Sequence, residues 1–282
     1  MSHTRCCLTT DQLESLLQED APYGDLTLAA LGIGRHPGSI RFAARDAMTL
    51  CGIEEAARLF ELAGAAANLH AASGDQAEPG RLLLSVEGPT DSLFRAWKVA
   101  QSLVESLSGI SSAARRIVDQ AGGAVVACTR KHLPGNKTLV VKAVQAGGAS
   151  MHRLGLSESI MVTAEHRLFL DPAWSHDTLA RIARAQPEKK CVVEVEDVAA
   201  ALALIEQGCD VIQLEKLSPG AVAEVVAAAR AVNADRRPAI AAAGGIHPDN
   251  AADYAATGAD ILVTSAPYFA KPRDVQVGFE PA

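Results

Sequence analysis

The sequence is poor in aromatic residues, and it has neither a long basic block nor a long apolar run. Aromatic residues make up only 4% of the chain, which argues against the stacking platforms that bind single-stranded nucleic acid. The net charge is -7, so no basic patch for nucleic acid or a membrane surface is expected. No apolar run reaches the ~18–20 residues that span a bilayer, and residues 1–10 have no apolar stretch of signal-peptide length.

The six cysteines of the chain are scattered, and no Cys-x-x-Cys pair occurs. This spacing gives neither a structural zinc site nor a disulfide framework. We therefore predict reduced core cysteines in a cytoplasmic protein without membrane insertion. Hydrophobic residues make up 49% and charged residues 21% of the chain, which is enough apolar surface for a barrel and a smaller domain.

The first hundred residues predict a mixed α+β sandwich domain at residues 1–108. Apolar and polar residues alternate around Ile40, as in a half-buried strand. A long amphipathic helix is expected to begin near Asp91 and to end near Gly109. We expect the C-terminal tail, residues 268–282, to pack back on this domain.

From residue 123 onward, short apolar runs alternate with helical segments, which predicts a parallel sheet with helical crossovers. The strand candidates are Ala124–Cys128, Ile160–Thr163, Cys191–Val195, Val211–Leu214, Ala239–Ala242 and Ile261–Thr264. Polar residues follow each of these runs. That distribution favours a β/α barrel at residues 109–267, whereas an open sheet would gather its ligand at one switch point.

A group of cations follows the first strands of the predicted barrel. Thr129-Arg130-Lys131 directly follows an apolar strand, and His152 and Arg153 lie further along the chain. Cations that converge at a barrel mouth bind phosphate or carboxylate, and arginine does so with two parallel hydrogen bonds. The alternative is a solvated loop, but the apolar strand that Thr129-Arg130-Lys131 abuts directs these side chains toward the mouth.

A group of acids follows later strands. Glu194 and Glu196 are two residues apart on one strand and therefore face the same side, and Glu215 ends the next strand. Carboxylates among apolar strands are costly unless they are paired or bind a metal. We expect them to hold Mg²⁺ on a pyrophosphate or to bind ribose hydroxyls; for Glu194, a structural ion pair with Arg or Lys is the alternative.

Two glycines, Gly244 and Gly245, follow the fifth strand and precede a helix, a setting in which backbone N–H groups can approach a phosphate. The Ser265 hydroxyl, after the last strand, can add a donor. Together, the three groups predict a site for a phosphorylated anion such as a phosphoribosyl donor with Mg²⁺-bound pyrophosphate. Catalysis there would rest on positioning and charge stabilisation, without a protein nucleophile.

Ordered motifs along nearly the whole chain resemble the quinolinate phosphoribosyltransferase family. They are Glu19-Asp20, Gly24-Asp25-Leu26-Thr27, Leu107-Ser108-Gly109-Ile110, Thr129-Arg130-Lys131, Pro134-Gly135, Gly147-Gly148, His152-Arg153-Leu154-Gly155-Leu156, Glu194-Val195-Glu196 and Gly244-Gly245-Ile246. The likeness is strongest to the ModD branch, which is associated with molybdate-transport genes. It implies an incomplete barrel of fewer than eight strands, a homodimer with a shared active site, and Mg²⁺-dependent transfer of phosphoribose from phosphoribosyl pyrophosphate to a nitrogen heteroaromatic acid.

The resemblance also implies residue roles at the matching positions. The residues that would bind the acid substrate are Arg130, His152 and Arg153. The residues that would act in catalysis on the donor and its Mg²⁺ are Lys131, Glu196 and Glu215. Gly244 and Gly245 would bind the phosphate. Glu196 and Glu215 are the implied Mg²⁺ ligands. Lys98 stands where the family has an arginine that reaches the partner's substrate, and His166 matches a further family position.

Several positions depart from the family pattern. Trp97-Lys98 replaces Glu-Arg, Thr163 stands where a substrate-binding lysine is usual, and Ala243 replaces a serine. Because lysine lacks the planar fork of arginine, these changes predict weak binding of a dicarboxylate such as quinolinate.

Two other functions stay open from the sequence. One is a Schiff-base barrel enzyme with Lys131 or Lys216 as the nucleophile, which requires an apolar or cationic setting for the amine. The other is a phosphate-binding regulatory protein that has kept the fold and lost the chemistry; it would bind anions without turnover.

Overall fold

The structure is a computed structural model that describes residues 4–170 and 174–282. Its elements, in chain order, are α1 (Thr10–Asp20), α2 (Leu26–Leu31), β1 (Pro37–Ala44), β2 (Met48–Thr49), α3 (Ile53–Ala63), β3 (Ala66–Leu69), β4 (Gln76–Ala77), β5 (Leu82–Pro89), α4 (Thr90–Gln120), β6 (Val125–Cys128), α5 (Lys137–Ala146), β7 (Ser150–Met151), β8 (Ile160–Val162), α6 (Ala164–Leu168), α7 (His176–Ala185), β9 (Cys191–Val195), α8 (Val198–Glu206), β10 (Val211–Glu215), α9 (Pro219–Ala231), β11 (Ala239–Ala243), α10 (Ala251–Ala256), β12 (Ile261–Thr264) and β13 (Val275–Pro281).

The chain folds into two compact units. The first contains the described residues up to Arg115 together with His132–Gly148 and Pro267–Ala282, and the second contains the described residues of Arg116–Lys131 and Ala149–Ala266. The domain limits proposed from the sequence stay a prediction.

The first unit has an antiparallel sheet with the strand order β13-β1-β5-β3. On β1, Ile40, Phe42 and Ala44 are buried while their neighbours are more exposed, which confirms the alternation expected around Ile40. These side chains pack with residues of α1, α3 and α4 in one hydrophobic core. Strand β13 lies along β1, with Val275 opposite Ala44. The mixed α+β sandwich predicted for this part of the chain is confirmed.

Helix α4 is longer than the sequence predicted. It runs for 31 residues to Gln120 and passes through Gly109, so the predicted helix end near Gly109 was wrong. A Cβ atom at Gly109 would lie 2.5 Å from the backbone oxygen of Lys271. The glycine therefore allows two chain segments to approach closely, a use of glycine that does not require a turn.

A buried ion cluster lies inside the first unit. The Lys142 Nζ atom is 2.8 Å from Glu54 Oε2 and 2.6 Å from Glu55 Oε2. Ser73 Oγ donates a hydrogen bond to Glu54, and the Cys7 backbone N–H donates to Glu55. All the charges of the cluster are thus compensated, as buried charges require.

The second unit has a seven-stranded sheet with the order β7-β6-β12-β11-β10-β9-β8, and all its pairs are parallel. Strands β7 and β8 form its two edges, which confirms the predicted incomplete barrel of fewer than eight strands. The six predicted strands lie within one residue of the observed ends, whereas the two-residue strand β7 was not predicted.

One face of this sheet carries an apolar cluster that includes Val211, Ala241, Ala243 and Val263. Because alternate residues of a strand share a face, Gln213 and Glu215 continue the row that begins with Val211 on β10. Toward the C-terminal ends of the strands, the apolar face therefore becomes polar. No helix within the described part of the chain is long and apolar enough to cross a membrane.

Candidate active site

The predicted site residues of the barrel lie at the C-terminal ends of its strands, in three groups. Arg130 and Lys131 follow β6, and His152 and Arg153 follow β7. The glycine pair and Ser265 follow β11 and β12, and the acidic residues end or follow β9 and β10. Along the strand order, the turns of β11 and β12 thus lie between the cations and the acids.

The cationic group is held together by the short strands β6 and β7. The His152 backbone N–H donates to the Cys128 carbonyl at 2.8 Å and extends the pairing of these strands. Burial lowers the pKa of Arg153, and the nearby Arg130 guanidinium lowers it further. Burial also lowers the pKa of His152, with Arg153 as the second cause. The two arginine charges repel each other, so an anion placed between them would be stabilised.

The acidic group centres on Glu194, a residue that the sequence left between a ligand role and a structural ion pair. Burial raises the pKa of the Glu194 carboxyl, and the carboxylate of Glu215 raises it further. Among the described residues, no Lys or Arg forms an ion pair with this carboxylate; Arg167 binds only the Glu194 backbone oxygen, at 2.8 Å. The ligand role of Glu194 stays a prediction.

Gln213 is a neighbour of this acid that the sequence analysis missed. Its Nε2 donates to Glu194 Oε2 at 2.7 Å, and the side chain is buried. The one signal in the sequence is an amide inside β10, between the apolar residues Val211, Ile212 and Leu214. Glu196, in contrast, lies just beyond β9 and is exposed.

The residue after Glu215 has an unusual backbone. Lys216 has a φ of 59°, a left-handed conformation that costs a non-glycine residue about 1 kcal/mol and occurs often at functional sites. Its N–H donates to the Ala243 carbonyl at 2.8 Å. The side chains of Lys216 and Lys131 are both exposed, so neither has the apolar setting that the Schiff-base hypothesis requires.

Gly244 lets the turn after β11 pass close to the acidic end of β10. A Cβ atom at this position, which has a φ of 88°, would lie 2.6 Å from Lys216 Cγ and 3.0 Å from Glu215 Oε1. Gly245 also has a positive φ, of 81°, but a Cβ there would meet no atom within 4 Å. The turn thus presents backbone at an open surface. The helix expected after this turn is α10, which begins at Ala251 and has only six residues.

Ser265 and His166 have different settings. Ser265 directly follows β12 and is half-buried; the preceding Thr264 hydroxyl donates to the Ile246 carbonyl at 2.6 Å and ties β12 to the glycine turn. His166 closes the first turn of α6, where its Nδ1 accepts the Thr163 backbone N–H at 3.2 Å. Because Nδ1 accepts, the neutral ring carries its proton on Nε2.

Lys98 lies on α4 in the first unit. Its Nζ atom is 4.1 Å from the centroid of the Trp97 ring and donates to Gln101 Oε1 at 3.2 Å. Two of the three ammonium donors therefore stay available, and the ammonium also lies within cation–π distance of the indole.

Comparison with known proteins adds independent evidence. The family models for the N-terminal and C-terminal domains of quinolinate phosphoribosyl transferase match residues 25–108 and 110–278. A ModD protein of Rhodobacter capsulatus is 46% identical over 85% of this chain and 93% of its own length, and one of Pasteurella multocida is 34% identical over 96% and 97%. The crystal structure of NadC from Streptococcus pyogenes superposes with a TM-score of 0.87 at 25% identity and covers 96% of both chains. These matches confirm the resemblance that the motifs predicted, including the likeness to ModD.

Proposed function

Because the chain belongs to the quinolinate phosphoribosyl transferase family, we propose that it transfers phosphoribose from phosphoribosyl pyrophosphate to a nitrogen heteroaromatic acid. In this reaction the ring nitrogen forms a bond to the ribose C1, and pyrophosphate leaves with the electron pair of the broken C1–O bond. The observation that carries the proposal is the order of groups along the barrel mouth: cations after β6 and β7, an open glycine turn after β11, and acids at β9 and β10.

The glycine turn and Ser265 would bind the phosphate of the donor. Gly245 presents backbone with open space beside it, and exposed backbone N–H groups suit phosphate oxygens. Lys131, on the neighbouring strand end, would contribute a mobile positive charge to the departing pyrophosphate.

The acidic residues suit a magnesium ion that is shared with the donor. Glu215 lies near enough to Glu194 for its charge to raise the pKa of that carboxyl. No group of three or more His, Cys, Asp or Glu side chains in residues 4–170 and 174–282 is arranged to hold a metal. Mg²⁺ is commonly held by one or two carboxylates and completed by substrate phosphates and water. Glu215, with Glu194 or Glu196, would hold it and lower the charge of the pyrophosphate.

The cations after β6 and β7 would hold the acceptor acid. Arg130 and Arg153 can each bind a carboxylate with two hydrogen bonds, while the lowered pKa of His152 favours a neutral ring near pH 7. Since Thr163 and Lys98 stand where the family has lysine and arginine, we expect an acid with one carboxylate to bind better than quinolinate.

The first experiment measures pyrophosphate release from phosphoribosyl pyrophosphate and Mg²⁺ across a panel of pyridine and other heteroaromatic acids, including quinolinate and nicotinate. We expect release that depends on one acceptor and falls by about 100-fold or more in Lys131→Ala and Glu196→Ala. The matched controls are Lys189→Ala and Glu188→Ala, which change the same residue types at exposed positions before β9. A folded protein that binds the donor without any release would favour the anion-binding role instead. Failure to bind the donor would reject the transferase.

We also propose the homodimer with a shared site, in which Lys98 serves the partner's site. Mixing subunits tests this directly. Lys98→Ala and Glu215→Ala are each expected to be inactive alone, and unfolding and refolding them together should restore about a quarter of the wild-type activity through hybrid dimers with one intact site. No recovery would place Lys98 in the same site as Glu215 or outside the site. The link to molybdate transport stays a prediction.

A further inference from the structure

Gln213 is a buried polar side chain of the candidate site, and only one end of its amide is hydrogen-bonded within the described residues. Its exposed fraction is 3%. Nε2 donates to Glu194, but Oε1 has no hydrogen-bond partner in the described part of the chain. A buried carbonyl oxygen without a donor is destabilising, and native interiors seldom retain one without a reason.

The described sheet neighbours of Gln213 offer it no side-chain donor. In the strand register, Gln213 lies between Glu194 on β9 and Ala241 on β11. A carboxylate can only accept, and the alanine has no polar side-chain atom. The same face of β10 and β11 carries the apolar residues Val211 and Ala243. An apolar residue would pack here without an unmet oxygen, so stability alone does not explain the amide.

We propose that Gln213 is a specificity-determining residue, whose Oε1 accepts a hydrogen bond from an O–H or N–H group of the bound ligand. This inference rests on the proposed function and names the chemistry that the site selects. The ligand would place a hydroxyl or amino group against Oε1. Glu194 Oε2 and Gln213 Oε1 are both acceptors, so a second carboxylate in this position would meet acceptors only and would be repelled. The donor group can come from an amino- or hydroxy-substituted heteroaromatic acid or from the ribose of the phosphoribosyl donor.

The test compares wild type with Gln213→Met, which keeps the length of the side chain and removes the amide. Val192→Ala, on the neighbouring strand β9 and packed against the apolar cluster, controls for altered packing. Calorimetric titration measures binding of phosphoribosyl pyrophosphate with Mg²⁺ in one arm. The other arm uses nicotinate, 2-hydroxynicotinate, 2-aminonicotinate and quinolinate. Gln213→Leu serves as a second apolar variant, and a thermal melt of each variant checks folding.

We expect Gln213→Met to lower the affinity for the ligand that reaches Oε1 by about 10-fold or more. It should change the affinity for nicotinate by less than about threefold. The difference in affinity by which wild type disfavours quinolinate should become smaller. A loss confined to the substituted acids identifies the acceptor as the source of the donor group, and a loss confined to phosphoribosyl pyrophosphate identifies the ribose. If wild type binds these ligands and both Gln213 variants bind them equally well, the inference is overturned and the proposed function is not affected. If wild type binds none of them, both are overturned.

Discussion

The two units of this protein hold carboxylates in opposite ways. In the first unit, Glu54 and Glu55 both contact Lys142 within 2.8 Å, and Ser73 adds a hydrogen bond. In the barrel, Glu194 has an amide beside it and the charge of Glu215 nearby. The pKa directions follow from this difference. Burial tends to raise the pKa of Glu54, but the hydrogen bonds from Lys142 and Ser73 outweigh it and the net pKa is lowered, whereas the pKa of Glu194 is raised.

This contrast separates a structural charge from a functional one. Buried charges that are fully compensated hold segments together and leave nothing for a ligand to do. Two carboxylates that repel each other are stabilised when a cation binds between them. Carboxyl groups whose pKa is perturbed in this way occur often at functional sites. The comparison therefore predicts that mutations in the first cluster lower stability and that mutations in the second change binding without such a loss.

The largest effect is expected for Lys142→Met. Removing the lysine leaves two buried carboxylates without a counter-charge, which should lower the free energy of unfolding by about 3–5 kcal/mol. Urea denaturation followed by circular dichroism measures it. The matched control is the triple variant Glu54→Gln, Glu55→Gln, Lys142→Met, which removes all three charges and should recover much of the loss. If the single variant is as stable as wild type, the cluster is not structural.

A smaller effect is expected for Ser73→Ala, because the charges stay paired. Ser73 donates to Glu54 through its backbone and its hydroxyl, and the hydroxyl also accepts the Gly52 N–H. Losing the buried hydroxyl should cost about 1–3 kcal/mol. The same urea measurement applies, with Ser15→Ala on the exposed surface of α1 as the control. Equal losses of unfolding free energy in Ser73→Ala and Ser15→Ala would mean that the Ser73 hydroxyl does not stabilise the buried ion cluster.

Acid should distinguish the two clusters further. Since the pKa of Glu54 is lowered in the folded protein, its contribution is present above the ordinary glutamate pKa and is lost as the pH falls through the lowered value. The pKa of Lys142 is raised, so its contribution is lost only as the pH rises through that raised value. Melting temperatures between pH 7 and pH 3 should therefore fall less steeply in Glu54→Gln than in wild type. Parallel curves would mean that Glu54 does not govern this pH dependence.

The sequence predicted the barrel well because its strands are continuous apolar runs, and burial on both faces leaves such runs few other structures. It placed Cys191–Val195 and Ile261–Thr264 at their observed ends. The predicted end of α4 was wrong because Gly109 serves a tertiary contact, the close approach of Lys271. A contact between residues so far apart in the chain leaves no local pattern in the sequence.

The sequence was less informative about buried polar residues. From the sequence alone, Lys142 is expected to be a solvated lysine. Only the structure shows that Glu54 of α3 lies against its ammonium group. Gln213 gave only a weak signal, one amide in an apolar strand. Arg130 and Gly244, in contrast, were predicted at the mouth because strand ends fix where such residues lie; their roles stay predictions.

The smallest expected effect is a gain in stability for Glu194→Gln. Because the folded-state pKa of Glu194 is raised, the ionised form destabilises the fold once the pH rises above that value, and a glutamine mimics the protonated form. The gain at pH 7 should be at most about 1 kcal/mol, since the side chain is only half-buried and water screens its neighbours. It should vanish below the ordinary glutamate pKa, where both folded and unfolded wild-type chains are protonated. The matched variant Glu54→Gln should lose stability at pH 7, and melting curves of the two variants at pH 7 and pH 3.5 measure both signs. A Glu194→Gln variant that is destabilised at pH 7 would mean that its carboxylate is compensated like that of Glu54, and the distinction between a structural and a functional acid would no longer hold.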